Sequence, residues 1–377
     1  MRLVLYAQAE AVDEVLRQRR GVVSSGYTFL MIASNTQNDL ENGLPSRTSI
    51  LVAAVRAFGS REPDENVRNP DSVADLLIGP SELTLISDHP VSTGLTQNYK
   101  EASQNPAIVL FAGLMLWRTR FIDEALGRAV RNGATQVVIL GAGFDTRAYR
   151  CGELLKYCRV IEVDAAPTQT YKKRRVQEVL RDLPTNLTYC AIDFAKDDLM
   201  DGLRRVSFNR DEKTFYIWEG VCMYLSESSV RQTLQTIASH SAPGSTIALD
   251  YANAFGIELG KFSPNGAGGI PTPWAEPWIF GVPGANGAGF FNELGFDPGV
   301  PVAAYSPEMI RRYGTRQDGT SYAAHVLERL RTQAPVQPHA PPSGLIDARK
   351  AVAAAGGAYW FAELTVMNQQ PGSLTMQ

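Results

Sequence analysis

The sequence predicts an α/β fold built around a mostly parallel β-sheet. Three observations lead to this prediction: short β-branched runs recur from residue 136 onward, helical segments lie between them, and glycine or acidic residues follow the runs. Strands that alternate with helices form right-handed crossovers and a parallel sheet. The strands of such a sheet are buried on both faces and are nearly all apolar, as these runs are.

Length and composition exclude several classes of protein. The 377 residues fit one large α/β domain with an elaborated cap, or two domains. Hydrophobic residues make up 44% of the chain and charged residues 20%, so the chain can bury a core and is not a disordered protein. The net charge of -3 provides no basic excess for a phosphate backbone, so nucleic acid is not expected as a partner.

Membrane and secretion signals are not expected. The longest apolar runs, 48–55 and 107–117, are shorter than the roughly 18 to 20 residues of a membrane span. Asp13 and Glu14 lie where a signal peptide would stay apolar. The four cysteines form no CxxC pair and have no histidine nearby, so neither a disulfide framework nor a metal site is predicted. A cytoplasmic location is therefore expected.

Residues 1–126 are predicted to form an N-terminal helical cap on the substrate side of the sheet. The segment TSILVAAVRAF (48–58) has helical apolar spacing, and a second helical pattern begins near Trp117. The sheet domain would then span residues 127–377. Within it, the glycine- and aromatic-rich stretch 253–305 is either a surface loop or, as we prefer, an ordered insertion over the open end of the sheet, acting as a lid or substrate wall.

Six strands and two amphipathic helices can be placed in the predicted sheet domain. The helices cover 168–180 and 226–240, and the KKRR run at 172–175 is interpreted as a solvated helix face. The predicted strands are 137–140, 159–164, 187–194, 215–220, 245–252 and 359–367.

A glycine turn follows the first predicted strand. Gly141, Ala142 and Gly143 stand between a strand and a helix, where two glycines allow the backbone to approach a ligand closely. A simple tight turn is the alternative. About 20 residues later Asp164 ends the next strand, where a carboxylate can accept hydrogen bonds from both ribose hydroxyls of a nicotinamide dinucleotide or of S-adenosylmethionine.

Three further positions carry charge next to predicted strands or helices. Asp193 lies at the end of the third strand and can accept from an adenine amino group with Phe194 beside the base, or else cap a helix. Glu219 ends an apolar strand and needs a positive partner, either a ligand ammonium group or an arginine of the protein. Arg118 can bind a carboxylate, or lie at a solvated helix end.

Taken in order, five motifs resemble the leucine carboxyl methyltransferase family over roughly residues 45–251. They are WRTRFIDEAL, GAGFDTRAYR, EVDAAPTQTYKK, AIDF and WEGVCMYLS. The resemblance implies a class I methyltransferase with a Rossmann-like, mostly parallel sheet of seven strands, and S-adenosylmethionine as its cofactor.

The resemblance also implies roles for individual residues. Arg118 would bind the cofactor's carboxylate, with Arg47 a less certain helper, and Glu219 would lie near the cofactor's amino acid end. Asp164 would take the ribose hydroxyls and Asp193 the adenine amino group. The full set of cofactor residues comprises Arg118, Gly141, Ala142, Gly143, Asp145, Arg147, Glu162, Asp164, Asp193, Phe194 and Glu219.

The expected reaction is methyl ester formation on a carboxylate of a small, aromatic or aliphatic, organic acid. A carboxylate is already ionised at neutral pH and needs no general base, and none of the four histidines lies in an acid–base motif. Arg118 and Tyr224 would position the reactants, and Tyr224, Trp274 and Trp278 would wall the acceptor pocket. No metal is required.

Three alternatives stay open from the sequence. They are a protein C-terminal carboxyl methyltransferase, a nicotinamide-dependent oxidoreductase and a non-catalytic methyltransferase-like scaffold. The oligomeric state also stays open, with a homodimer among the options.

Overall fold

The computed structural model describes residues 40, 42–194, 196–260, 278–326, 328 and 343–367. One mixed sheet organises this part of the chain, and its strand order is β3-β2-β1-β4-β5-β8-β6, with β7 also paired to β8. The strands are β1 (Gln136–Leu140), β2 (Arg159–Asp164), β3 (Leu187–Ala191), β4 (Thr214–Trp218), β5 (Thr246–Ala252), β6 (Phe296–Asp297), β7 (Val302–Ala303) and β8 (Tyr359–Val366).

The first five strands are parallel, and β8 runs antiparallel to β5. The strand order reverses between β1 and β4, and in open α/β sheets ligands bind at the carboxyl ends of the strands beside such a reversal. The predicted α/β fold of a class I methyltransferase is therefore confirmed.

The strand count is eight in the described residues instead of the seven expected, because the edge strand is interrupted. Phe296 pairs with Val366 and Asp297 with Thr365, whereas Val302 pairs with Phe361. Five residue steps (297 to 302) on the edge thus face four steps (365 to 361) on β8, which is a bulge of one residue. Prolines at 298 and 301 cannot donate to the ladder, so β6 and β7 form two separate pieces.

Helices precede the first strand of the sheet and connect the later strands. They are α1 (Arg47–Ser60), α2 (Ser72–Leu77), α3 (Pro80–Leu85), α4 (Ser92–Leu95), α5 (Tyr99–Ala102), α6 (Pro106–Arg131), α7 (Arg147–Arg150), α8 (Gly152–Leu155), α9 (Ala166–Val179), α10 (Leu199–Arg204), a 3-10 helix (Cys222–Tyr224), α11 (Glu227–His240), α12 (Ala254–Gly260), α13 (Ala288–Glu293), α14 (Pro307–Tyr313) and α15 (Ser343–Ala355).

The long helix α6 starts eleven residues before Trp117, where the sequence pattern had suggested a helix start. Asn105 caps it by accepting a hydrogen bond from the Ala107 backbone N–H at 3.0 Å. Its first half is buried all round, so no polar face marked it in the sequence. The domain boundary expected at residue 126 falls inside this helix, which packs against β4, β5 and β8.

The aromatic side chains of the predicted insertion 253–305 pack into the core where the structure describes them. Phe291 lies edge-on to Tyr251 of β5 with ring centroids 5.2 Å apart, and Phe290 packs against Phe280. After the helix Ala288–Glu293 the chain enters β6 and β7, so residues 296–303 belong to the sheet edge. Trp278 instead faces the cavity described below.

The KKRR run on α9 is solvated only in part: Lys173 and Arg174 are exposed, as predicted, whereas Lys172 and Arg175 are not. Lys172 is fully buried against Glu162, and Arg175 contacts Glu82 and the backbone carbonyl of Leu77. Within the described residues, no helix combines the length and apolarity that a membrane crossing requires.

Candidate active site

The glycine turn between β1 and α7 is held by the carboxylate of Asp164. Gly141 and Gly143 have φ values of +64° and +43°, the left-handed region that favours glycine. The backbone N–H of Gly143 donates to Asp164 Oδ2, and that of Ala165 donates to Oδ1 at 2.7 Å. Each carboxylate oxygen has a second lone pair, so Asp164 can still accept from a ligand's hydroxyls.

The glycines are also required by close packing. A Cβ on Gly141 would overlap Cγ2 of Val221, and a Cβ on Gly143 would lie 2.9 Å from Cβ of Ser49. The turn is therefore clamped between α1 and the loop after β4, and its backbone faces the carboxyl edge of the sheet.

Beside the turn lies a buried cluster of charges centred on Arg118 and Glu219. Arg118 Nε is 2.9 Å from Glu219 Oε1, and Arg118 Nη1 is 3.0 Å from Asp250 Oδ2. The contact of Nη1 with Asp250 is a hydrogen bond, whereas the approach of Nε to Glu219 is an ion pair without hydrogen-bond geometry. Arg147 Nη1 lies 2.7 Å from Glu219 Oε2.

The two guanidinium groups fix the charge state of Glu219. Burial alone would raise its pKa, but the attraction of Arg118 and Arg147 outweighs burial and holds that pKa well below the usual range. Burial likewise opposes ionisation of Arg118, yet Glu219 and Asp250 raise its pKa above the usual value. The predicted acid at the end of β4 is thus ionised, and its positive partners are arginines of the protein.

Asp145 and Arg147 extend this cluster under the glycine turn. Asp145 accepts from the Arg147 backbone N–H at 2.7 Å and also forms an ion pair with its guanidinium group. Arg147 Nε lies 2.7 Å from Asp123 Oδ1 on α6. Asp145 and Arg147 therefore stabilise the turn that contains Ala142, and their charged groups are already paired within the protein.

Glu162 does not join the group of acids at the sheet edge. It lies two residues before Asp164 on β2, is 1% exposed, and its Oε2 accepts from Lys172 Nζ at 2.8 Å. No hydrogen bond reaches its buried Oε1 within the described residues. Burial, partly offset by Lys172, raises the pKa of Glu162 to about 7. The prediction that Glu162 binds the cofactor is therefore wrong, because helix α9 covers the Glu162 side chain.

Asp193 and Phe194 lie after β3, as predicted, at the same edge of the sheet. Both are half-buried, and Phe194 packs against the core. Asp193 Oδ2 lies 2.9 Å from Lys196 Nζ, and the Asp193 backbone N–H donates to Asp197. The carboxylate thus has a solvated ion pair that a ligand would have to share or displace.

A small cavity adjoins Arg118 between α1, α6 and the loop after β4. Its volume is about 40 Å³. Its walls are mostly apolar and aromatic, and they are formed by Thr48, Leu51, Val52, Phe111, Leu114, Met115, Arg118, Gly220, Met223, Tyr224, Trp278 and Tyr359. Tyr224 and Trp278 are therefore placed together, as predicted, whereas Trp274 lies outside the described residues.

The histidines and Arg47 lie elsewhere. Arg47 Nη1 is 3.4 Å from Asp88 Oδ2, which gives it a carboxylate partner on the surface. His89, His240 and His325 contact backbone groups of nearby segments and do not line the cavity. His339 lies outside the described residues.

Residues 49–238 match the family model for leucine carboxyl methyltransferase. The chain belongs to the leucine carboxyl methyltransferase family. It is similar to a provisionally named S-adenosyl-L-methionine-dependent methyltransferase, YktD, of Bacillus subtilis (strain 168), with 31% identity over 218 residues, covering 55% of this chain and 71% of that protein. A relative of the same description from Streptomyces avermitilis is 29% identical over 239 residues, covering 63% of this chain and 77% of that protein.

Similar solved structures include two further methyltransferases. StiE O-MT has 14% sequence identity and a TM-score of 0.39, and the match covers 67% of this chain and 75% of that one. Magnesium protoporphyrin IX methyltransferase from Synechocystis PCC 6803 with bound SAH has 11% identity and a TM-score of 0.38, with coverage of 68% and 86%.

The protein is an S-adenosylmethionine-dependent methyltransferase. The residues at the carboxyl edge of its sheet fit that cofactor. The turn leaves no room for a Cβ at Gly141, and Asp164 keeps lone pairs toward the sheet edge. Arg118 lines the adjoining cavity, where a guanidinium group can meet a carboxylate. Family membership also removes the nicotinamide-dependent oxidoreductase as an alternative.

Sequence reasoning missed two residues of this methyltransferase's charge cluster, Asp250 and Tyr359. Trp218 pairs with Leu249 in the β4–β5 register, so Glu219 and Asp250 are each one residue beyond that pair. A buried aspartate in the apolar run STIALDYA was the available signal for Asp250. Tyr359 gave no such signal, because an aromatic residue at the start of a strand is ordinary.

Proposed function

We propose that this methyltransferase forms methyl esters on the carboxylate of a small organic acid with an apolar or aromatic body. The observation that supports the proposal is the cavity beside Arg118. It combines apolar walls with one guanidinium group, and the described residues that line it include no histidine, carboxylate, lysine or cysteine.

The absence of a base from that lining favours an acceptor that is already ionised. A carboxylate has a pKa near ~4 and is a nucleophile at neutral pH, whereas a phenol or an ammonium group must first lose a proton. Tyr359 is a poor base, because burial and the neighbouring Asp250 raise its pKa well above the usual value. Tyr224 and Arg118 would orient the acceptor's oxygens.

The cofactor's binding site would be shared among the residues at the sheet edge. When bound, S-adenosylmethionine would supply the methyl group of its sulfonium: the carbon–sulfur bond would break as the acceptor oxygen bonds to the methyl carbon, and S-adenosylhomocysteine would leave as a neutral thioether. Asp164 would accept from the ribose hydroxyls, Asp193 from the adenine amino group, and Arg118 would bind the carboxylate. The chain's contribution is then positioning and exclusion of water by the apolar wall.

The size of the cavity favours a small acid over a protein C-terminus. A volume of about 40 Å³ holds a water-sized molecule, so side chains of the wall must move to admit any acceptor. The movement required is smaller for a compact acid than for a peptide that also needs a path for its chain.

The test is a methyl-transfer assay with a panel of aromatic, furanic and aliphatic carboxylic acids, matched phenols and amines, and a C-terminal peptide, with ester formation followed by mass spectrometry. We expect product from one or more of the small acids. Turnover of phenols or amines without any acid would overturn the carboxyl assignment, and turnover of the peptide alone would reassign the acceptor to a protein.

A further inference from the structure

We infer that Asp250 and Tyr359 form a positioning pair that fixes the guanidinium group of Arg118 between the cofactor's amino acid end and the acceptor cavity. The inference rests on the proposed contact of Arg118 with the cofactor's carboxylate. It does not depend on which acceptor is methylated.

The carboxylate of Asp250 accepts three hydrogen bonds from donors that define the site. Its Oδ1 accepts from the Gly220 backbone N–H at 2.6 Å. Its Oδ2 accepts from Arg118 Nη1 at 3.0 Å and from the Tyr359 hydroxyl. Asp250 therefore ties the loop after β4, helix α6 and strand β8 to one point.

Because these side chains are buried, the loss of any one of these contacts is costly. Asp250 is 0% exposed and Arg118 4% exposed, so neither side chain can exchange a lost partner for bulk water. A buried charge that loses one hydrogen bond moves toward its remaining donors. Without the Tyr359 hydroxyl, Oδ2 is free to rotate toward Gly220 or Arg118, and the guanidinium group loses its fixed orientation.

Tyr359 serves the site with two different parts of its side chain. Its hydroxyl donates to Asp250, while its ring lines the cavity and stacks on Trp278 with centroids 5.5 Å apart and planes 29° apart. A phenylalanine at 359 keeps the ring and removes only the hydroxyl. The substitution therefore separates the positioning of Arg118 from the shape of the acceptor wall.

A matched control exists on β4. Tyr216 is also buried in the sheet, and its hydroxyl hydrogen-bonds to Ser241 Oγ at 2.8 Å, but it does not line the cavity. Tyr216→Phe removes a part-buried hydrogen bond between two hydroxyl groups and leaves the Arg118 cluster unchanged. It therefore controls for the loss of a tyrosine hydroxyl from the sheet away from the site.

The experiment is calorimetric titration of the full chain with S-adenosylhomocysteine, using wild type, Tyr359→Phe, Tyr216→Phe, Arg118→Ala and the double variant Arg118→Ala/Tyr359→Phe. We expect Tyr359→Phe to raise the Kd about tenfold, the effect of one hydrogen bond to a charged group, and Tyr216→Phe to change it less than about twofold. In the Arg118→Ala background, the Tyr359 substitution should have almost no further effect.

Three results would overturn the inference. One is an unchanged Kd in Tyr359→Phe, another is an equal loss in both tyrosine variants, and the third is a full additional loss in the Arg118→Ala background. Asp250→Asn offers a second test if its melting temperature shows a folded protein, since it should weaken binding at least as much as Tyr359→Phe. The titration contains no acceptor, so a failure of the carboxyl assignment leaves its outcome untouched.

Discussion

At the scale of single residues, two separate causes favour glycine at position 141, its backbone conformation and the lack of space for a Cβ, and substitutions can distinguish them. Its φ of +64° strains any other residue, and a Cβ there would overlap Val221. Gly133 has a φ of +90° with no atom within 4 Å of its would-be Cβ, so it has the strain alone. Alanine at 133 should cost about 1 kcal/mol of unfolding free energy, and alanine at 141 clearly more.

Urea unfolding and S-adenosylhomocysteine titration of both variants check this prediction. Gly141→Ala should also weaken binding, because the turn faces the ligand, whereas Gly133→Ala should not. Val221→Ala added to Gly141→Ala should recover part of the loss in stability. Equal costs at 133 and 141 would show that backbone strain, and not packing against Val221, decides the position.

Glu162 provides a residue-scale prediction about pH. Its folded-state pKa of about 7 lies above the unfolded value near ~4.3, so the folded chain holds the proton more tightly. The resulting contribution to stability is full below the unfolded pKa and is lost as the pH rises through about 7. Relative to Glu162→Gln, which cannot ionise, wild type should lose on the order of 2 to 3 kcal/mol between pH 4.5 and pH 8.

Urea titrations of wild type and Glu162→Gln at several pH values measure that difference. Contributions from the other titrating groups largely cancel in the comparison. If the stability of wild type relative to Glu162→Gln stays constant or increases as the pH rises, Lys172 keeps Glu162 ionised throughout.

What the sequence could predict at this scale was set by local signals. Gly141, Gly143 and Asp164 follow strands at a spacing that has a geometric meaning, and the structure places them together. Asp250 required the register of β4 with β5, and Glu162 required knowledge that α9 covers β2. Neither is a property of a short stretch of sequence.

At the scale of elements, Arg56 connects α1 to the glycine turn. Its Nε lies 2.8 Å from Asp71 Oδ2, and its Nη2 donates to the Phe144 carbonyl at 2.7 Å, with both side chains buried. Arg61, the residue that follows the last residue of α1, pairs with Asp75 at 2.5 Å, but both of those side chains are about 40% exposed. The two ion pairs join neighbouring positions and differ mainly in burial.

Alanine substitution should separate these pairs. Arg56→Ala should cost about 3 to 5 kcal/mol of unfolding free energy, because Asp71 loses a buried partner, whereas Arg61→Ala should cost less than about 1 kcal/mol. Arg56→Ala should also weaken S-adenosylhomocysteine binding, since the turn loses its link to α1. Similar costs for the two variants, measured by urea unfolding, would show that burial does not set their strength.

Elements with a clear signal in the sequence were predicted, and elements without one were not. The five parallel strands were placed because short apolar, β-branched runs recur, α11 because its apolar residues lie on one helical face, and α9 as a helical stretch between two strands. The start of α6 was misplaced because residues 108–117 are buried all round and show no polar face. Strands β6 and β7 have two residues each, which is too short for any alternation to be visible.

At the scale of the whole molecule, the N-terminal helices and the sheet both contribute residues to the site. α1 contacts the glycine turn through Arg56 and Ser49, and α6 carries Arg118 into the charge cluster at the ends of β4 and β5. A cap that folded separately would leave these charges half-paired. We therefore expect the cap and the sheet to unfold together as one cooperative unit.

Ligand binding tests that cooperativity directly. A ligand that binds only the folded state adds RT ln(1 + [L]/Kd), about 2.7 kcal/mol at a concentration one hundred times the Kd. Urea unfolding followed by far-UV and near-UV circular dichroism should give one transition, which S-adenosylhomocysteine shifts by the same amount with both probes. Reduced nicotinamide dinucleotide at the same concentration should shift neither. Two transitions, only one of which responds to the ligand, would show that the cap and the sheet are independent units and that the site is completed only when they dock.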